Sequence, residues 1–320
     1  MGHPDGSDER FNLEELREWP SRRRLLIGAA TIGGGLLLTS QPDSDEHLTR
    51  AEDRLGELAT TIDAADVVDP QQSWRLSDAV TEAVASVNDA LDRDLGDDRE
   101  TKDRLATINA ATAYYINLGN TLDTATNLLT RIATSERTVL EHEGTLGYDP
   151  VAEFDTIAFE ESIARLSKAE NEPTLGTAGE NSLIPDQQRV VDALRAQCDV
   201  YTLHLTAQQT YLDTATMIEA GIRALERSQF DEARSILTEA QASLATEIPT
   251  AKYRYRLSGA GLSLKQYATL LTLRREGVTK LLSGCEPSLP VHQRRAVSDE
   301  AIDRFFESRR VVTSRPTGTV

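Results

Sequence analysis

The sequence predicts an all-α fold, an elongated bundle or array of antiparallel helical hairpins. Three observations point to it. From Asp43 onward apolar residues recur at three- and four-residue steps almost throughout. No stretch alternates apolar and polar residues as a half-buried strand does. A long periodic segment followed by a short one occurs twice, with matching residues in the same chain order.

The elements follow in order. Leu48, Ala51, Leu55, Leu58, Ile62 and Ala65 form a coiled-coil-like seam over 48–66, which Asp69-Pro70 stops. A second helix over 75–95 carries Leu76, Val80, Val84, Val87 and Leu91. A long third helix over 100–142 has Leu105, Ile108, Ala111, Tyr115, Leu122, Ala125, Leu129 and Ile132, and the stretch Gly144 to Pro150 ends it. A shorter helix near 152–170 carries Phe154, Ile163 and Leu166, and the Gly/Pro-containing stretch 171–185 reads as a loop.

A further long helix over 186–227 puts Val191, Leu194, Cys198, Tyr201 and Leu205 on one seam. Asp231-Glu232-Ala233 opens a short helix that ends before Pro249. A final long helix is expected over 251–283, stopping at Gly284. Ser298-Asp299-Glu300 then supplies a cap and first-turn acids for a last short helix over 298–310. The tail, 311–320, is expected to be disordered.

The repeat is specific. Residues 122–137 and 212–227 share eight identities in sixteen, including Leu-Asp-Thr-Ala-Thr at 122–126 and 212–216, Ile132 with Ile222, and Glu136-Arg137 with Glu226-Arg227. The shorter helices align as well: Phe154-Asp155 with Phe230-Asp231, and Ala164, Ser167, Ala169 and Pro173 with Ala240, Ser243, Ala245 and Pro249. The all-helical domain over 41–310 is therefore read as containing duplicated units at about 100–173 and 186–249. Stacked units of this kind bury a continuous core and act as scaffolds.

The second unit resembles a tetratricopeptide (TPR) hairpin around 217–249. Gly221, Phe230, Ala233, Leu237 and Ala240 stand at that family's alternating small and large packing positions. The resemblance implies two closely approaching helices, and a partner-binding helical surface if further repeats pack alike. The helix before it is about three times too long for the family.

Charge and composition restrict the function classes. The chain of 320 residues has 34 basic and 52 acidic residues, a net charge of −18, and only 5 of its basic residues are Lys. Such a chain does not bind nucleic acid over its whole surface. Excess acid, scarce Lys and abundant Ala and Thr resemble the composition of proteins from extreme halophiles, whose carboxylate-rich surfaces stay hydrated in molar salt. The charge is uneven. Residues 251–320 hold 13 basic and 6 acidic residues, a net of +7, and residues 1–250 a net of −25.

Residues 1–24 read as a polar, disordered n-region, and 25–40 as an apolar signal or anchor segment. Ser21, Arg22, Arg23, Leu25 and Leu26 resemble the twin-arginine (Tat) export motif, in which two bulky apolar residues follow S/T-R-R-x. The apolar run Leu25–Leu38 is short for a span of about 20 residues. The resemblance implies an extracytoplasmic chain, secreted or membrane-anchored through 25–40, with the Tat translocon as partner during export. A buried Gly/Ala-rich helix beside a chance Arg triplet is the plainer reading of the same residues.

Residues with chemical potential are few. Glu141-His142-Glu143 has no second His one turn away and reads as a solvated helix end. His204 neighbours the core seam and reads as a partly buried structural residue. Cys198 reads as a core thiol and Cys285 as a loop residue, and export would permit them to pair. Asp94, Asp97, Asp98 and Glu100 form an acidic turn. Lys252, Arg254, Arg256 and Lys265 interleave with Tyr253, Tyr255 and Tyr267, a pattern that suits either an anionic partner or intramolecular packing.

No catalytic, cofactor-binding or metal residues are assigned, and no cofactor is expected. The sequence therefore points to an exported or membrane-tethered helical scaffold that binds another protein. The alternative is an extracytoplasmic sensory or small-ligand-binding helical bundle.

Overall fold

The computed structural model describes residues 44–91, 98–141, 156–169, 182–257 and 261–313. They form eight α-helices: α1 (Ser44–Ala64), α2 (Pro70–Leu91), α3 (Arg99–Glu141), α4 (Ile157–Ala169), α5 (Gln187–Glu226), α6 (Phe230–Ser243), α7 (Leu264–Gly284) and α8 (Val291–Thr313). One 3-10 turn, Thr250–Lys252, lies between α6 and α7. Among the described residues the only β pairing is an isolated antiparallel bridge between Arg256 and Ser263. The fold is all-α, an array in which consecutive helices pack. The twin-arginine motif, the apolar run 25–40, His142 and the stretch 144–150 lie outside the described residues.

The described chain divides into two compact units. Among the described residues, the first comprises those from 44 to 130 and from 156 to 198, and the second those from 131 to 141 and from 199 to 313. The boundaries fall within α3 and α5.

In the first unit α1 and α2 pack as a hairpin. Leu48, Leu55 and Ile62 of α1 and Val80, Val84 and Val87 of α2 are buried, at the periodic positions the sequence marks. Pro70 does more than stop α1. It is the first residue of α2, where its missing N–H costs nothing. Arg189 of α5 donates to the carbonyls of Ile62 (3.0 Å) and Ala65 (3.2 Å), tying the start of α5 to the closing turn of α1. Buried Tyr115 of α3 points its hydroxyl at the carbonyls of Leu55 (3.2 Å) and Leu183 (3.0 Å), and burial pushes this phenol's pKa up. Arg104 of α3 grips Glu52 (2.7 Å) and Asp45 of α1.

In the second unit the helices follow one another as close hairpins. A Cβ built on Gly221 of α5 would lie 2.6 Å from the Leu237 side chain of α6, and one on Gly277 of α7 would lie 2.5 Å from the Phe305 ring of α8. Each glycine therefore lets a large side chain of the next helix seat against backbone. The turn from α5 to α6 has the hydrogen bonds of a Schellman cap: Gln229 N–H to Ala224 O (2.9 Å) and Ser228 N–H to Leu225 O (3.0 Å). Ser228 supplies the left-handed residue, with φ of 60°.

Two helix starts differ most from expectation. The helix expected over 251–283 begins at Leu264, thirteen residues later. Ser263 and Gln266 form a reciprocal capping box there, which marks the true start. The helix expected over 298–310 begins at Val291, after Pro290. Ser298 is not its cap but lies inside it, its hydroxyl donating back to Arg294 O at 3.1 Å.

The repeat's two copies keep their long-then-short helix order but not their burial. Leu122 and Thr126 are buried, whereas Leu212 is half-buried and Thr216 exposed. Between 121 and 136, α3 buries a wide stripe; α5 from 211 to 226 buries a single seam.

The α5–α6 turn yields a test of opposite sign at two positions. Gly221→Val should lower the unfolding free energy by about 1–3 kcal/mol, because Leu237 is fully buried and cannot yield. Ser228→Gly should raise stability by about 1 kcal/mol, by relieving the left-handed backbone. Denaturant titration monitored by circular dichroism checks both. Shifts of the same sign would contradict the hairpin geometry.

Candidate interaction site

The second unit contains an open cleft of about 490 Å³. One wall is the segment leaving α6, from Leu244 through Tyr253, and the other is α7 at Ala268, Leu271, Thr272 and Arg275. Those α7 positions step by three, one and three, so they share a face of the helix. Buried Leu244, Ile248 and Leu271 make an apolar floor. Thr246, Glu247, Thr250, Tyr253, Thr272 and Arg275 make a polar rim.

A buried carboxylate positions the α7 wall. Glu136, near the end of α3, is 2% exposed. Its Oε1 accepts the Leu262 N–H at 3.0 Å and the Tyr267 hydroxyl at 2.9 Å. Taking a carboxylate out of water is costly unless donors replace the lost water. These two bonds hold the chain just before α7 and the first turn of α7 against α3. Tyr255 O accepts the Leu264 N–H at 3.1 Å and Tyr253 O the Lys265 N–H at 3.4 Å. The segment 253–257 is thereby tied to the start of α7, and Tyr253 is carried to the mouth of the cleft.

His204 lies behind this pin. It is completely buried, its ring edge-on to Tyr267 with centroids 5.7 Å apart. Burial pushes its pKa down to about 3, and neither ring nitrogen meets a hydrogen-bond partner among the described residues. The expectation of a partly buried structural His is corrected only in degree.

The cationic-aromatic stretch resolves into separate roles. Tyr267 is core, joined to Glu136. Tyr255 sits under Arg254, whose guanidinium lies 4.8 Å from the ring centroid and bonds the hydroxyl at 2.7 Å. Arg274 stacks at 3.6 Å over Tyr211 and donates to its carbonyl at 3.1 Å. The next residue, Arg275, faces the cleft.

Other residues singled out in the sequence have structural roles. Asp98 caps α3, accepting from the Thr101 N–H (3.0 Å) and hydroxyl (2.7 Å), and these bonds lower its pKa. Both Cys198 and Cys285 are buried free thiols; Cys285 lies, as expected, in the turn that follows α7. Among the described residues no cluster of three or more metal-ligating side chains occurs. Nor is any described helix long and apolar enough to cross a membrane. Sequence reading missed Glu136, Ile248, Thr272 and Arg275. The available signal was charge: residues 244–275 contain six Lys and Arg and one acid, Glu247, within a strongly acidic chain.

The buried imidazole predicts a pH dependence. In the unfolded chain His204 takes up a proton near pH 6.5; in the fold it resists protonation down to about 3. Its contribution is complete above pH 6.5 and is lost as pH falls towards 3, by roughly tenfold in the folding constant per unit. His204→Gln should flatten stability against pH between 6.5 and 4 relative to wild type, read by urea unfolding. Parallel curves would contradict this environment.

Compared with protein-family models, with characterised proteins and with solved structures, the chain matches none.

Proposed function

We propose that the chain is an exported or membrane-tethered helical scaffold that binds another protein outside the cytoplasm. The observation that carries this reading is the open cleft, with its buried apolar floor and polar rim, built on successive close helical hairpins. Such a surface suits an apolar anchor from a partner chain, surrounded by polar contacts that exclude water. The packing of Gly221 against Leu237, with Ala233 and Ala240 buried beside it, supports the TPR-like character of the α5–α6 hairpin. The twin-arginine pattern at Ser21, Arg22, Arg23, Leu25 and Leu26 supports export, and the acidic, Lys-poor composition supports a high-salt setting.

Cells that express the chain natively provide the test. Fractionation in molar salt with N-terminal sequencing should place it at the membrane or outside the cell. Cross-linking there should capture a defined partner, and Thr272→Trp, which fills the cleft from an exposed helix position, should reduce capture. A cytosolic chain whose cross-linking pattern ignores Thr272→Trp would overturn the proposal.

A further inference from the structure

Resting on the scaffold reading, the geometry points to the kind of partner the cleft takes. We infer that it docks an acidic segment of a partner protein, an amphipathic helix whose apolar stripe enters the cleft between flanking carboxylates.

Charge on the surrounding surface is lopsided. Between 244 and 275 the chain carries Lys252, Arg254, Arg256, Lys265, Arg274 and Arg275 against Glu247 alone, a local net of +5 in a chain of −18. Several cations elsewhere in the second unit are matched with acids, although among the described residues Arg227, Arg294 and Arg295 are not. Lys280 meets Glu300 at 2.6 Å, Arg304 meets Glu276 and Glu307, and Arg234 meets Glu286. Around the cleft, Arg256, Lys265 and Arg275 make no ion pair with any described residue. Of these three, Arg275 lines the cleft and Lys265 shares its stripe of α7.

The spacing sets the form of the partner. Lys265, Ala268, Thr272 and Arg275 step by three, four and three along α7 and so lie on one stripe. Ala268, Thr272 and Arg275 line the cleft itself. The two cations stand ten residues apart, about 15 Å along the helix. An antiparallel or crossing helix can place carboxylates near each end of that interval and Leu-sized side chains over Leu244, Ile248 and Leu271 between them.

Two labelled helical peptides test this by fluorescence anisotropy against the full chain, in moderate and in molar salt. One carries a Leu stripe edged with Glu; its twin carries Lys in place of each Glu. The Glu peptide should bind at least about tenfold more tightly at moderate salt, and the margin should narrow in molar salt. Lys265→Glu with Arg275→Glu should reverse the preference, and Thr272→Trp should weaken both peptides; all three positions are exposed on α7, so the fold is retained.

Equal or tighter binding of the Lys peptide, binding indifferent to Thr272→Trp, or no binding of either peptide would overturn the inference. So would cleft-dependent binding of anionic phospholipid vesicles without binding of the Glu peptide. If the native partner is captured while the Glu peptide fails, the scaffold reading stands and the acidic-segment assignment falls. If the Glu peptide binds while native capture fails, the cleft chemistry stands and the scaffold reading falls.

Discussion

The second unit depends on one buried carboxylate. Glu136 places an ionisable group in the interior and satisfies it with a backbone N–H from Leu262 and the phenol of Tyr267. Leaving such a group without donors would cost several kcal/mol, so the chain before α7 has strong reason to return to this point. Once it does, Tyr267 packs edge-on against His204, the capping box at Ser263 starts α7, and the 253–257 segment is tied alongside. The cleft between the segment leaving α6, Leu244 through Tyr253, and α7 is a product of the pin.

Close packing does the rest. Gly221 and Gly277 remove side chains where Leu237 and Phe305 press on helix backbone. The array has thin contacts of this kind, so a single added methyl group is felt. Thr112 and Thr126 donate their hydroxyl protons to the carbonyls four residues back, which lets both sit in the core without an unmet donor. Surface ion pairs, including Arg50 with Glu46, contribute little by comparison.

Much of this was legible in the sequence because it is local. The seams of α1 and α2 were readable residue by residue, and so were the small positions at Gly221, Ala233 and Ala240, since helical periodicity needs only near neighbours. The late start of α7 was readable in principle from Ser263 and Gln266, but the apolar and aromatic run from Tyr253 to Leu257 imitates helix. Glu136 was visible only as a match to Glu226. One is buried and the other exposed, and the difference lies in partners 126 and 131 residues further along the chain. Sequence similarity cannot report an environment made by such distant contacts. The cleft was hidden for the same reason, as its floor joins Leu244 and Ile248 to Leu271 only after the chain has doubled back.

Native-state hydrogen exchange at the Leu262 amide gives the most direct measurement of this dependence. In the wild-type chain that amide should be protected to a level comparable with the buried turns of α7. Glu136→Leu should accelerate its exchange by about tenfold or more, as expected for the loss of hydrogen bonds to a charged acceptor, with Glu136→Gln intermediate and the α1–α2 hairpin unchanged. Protection at Leu262 that is the same in wild type and in Glu136→Leu would contradict the role assigned to the carboxylate.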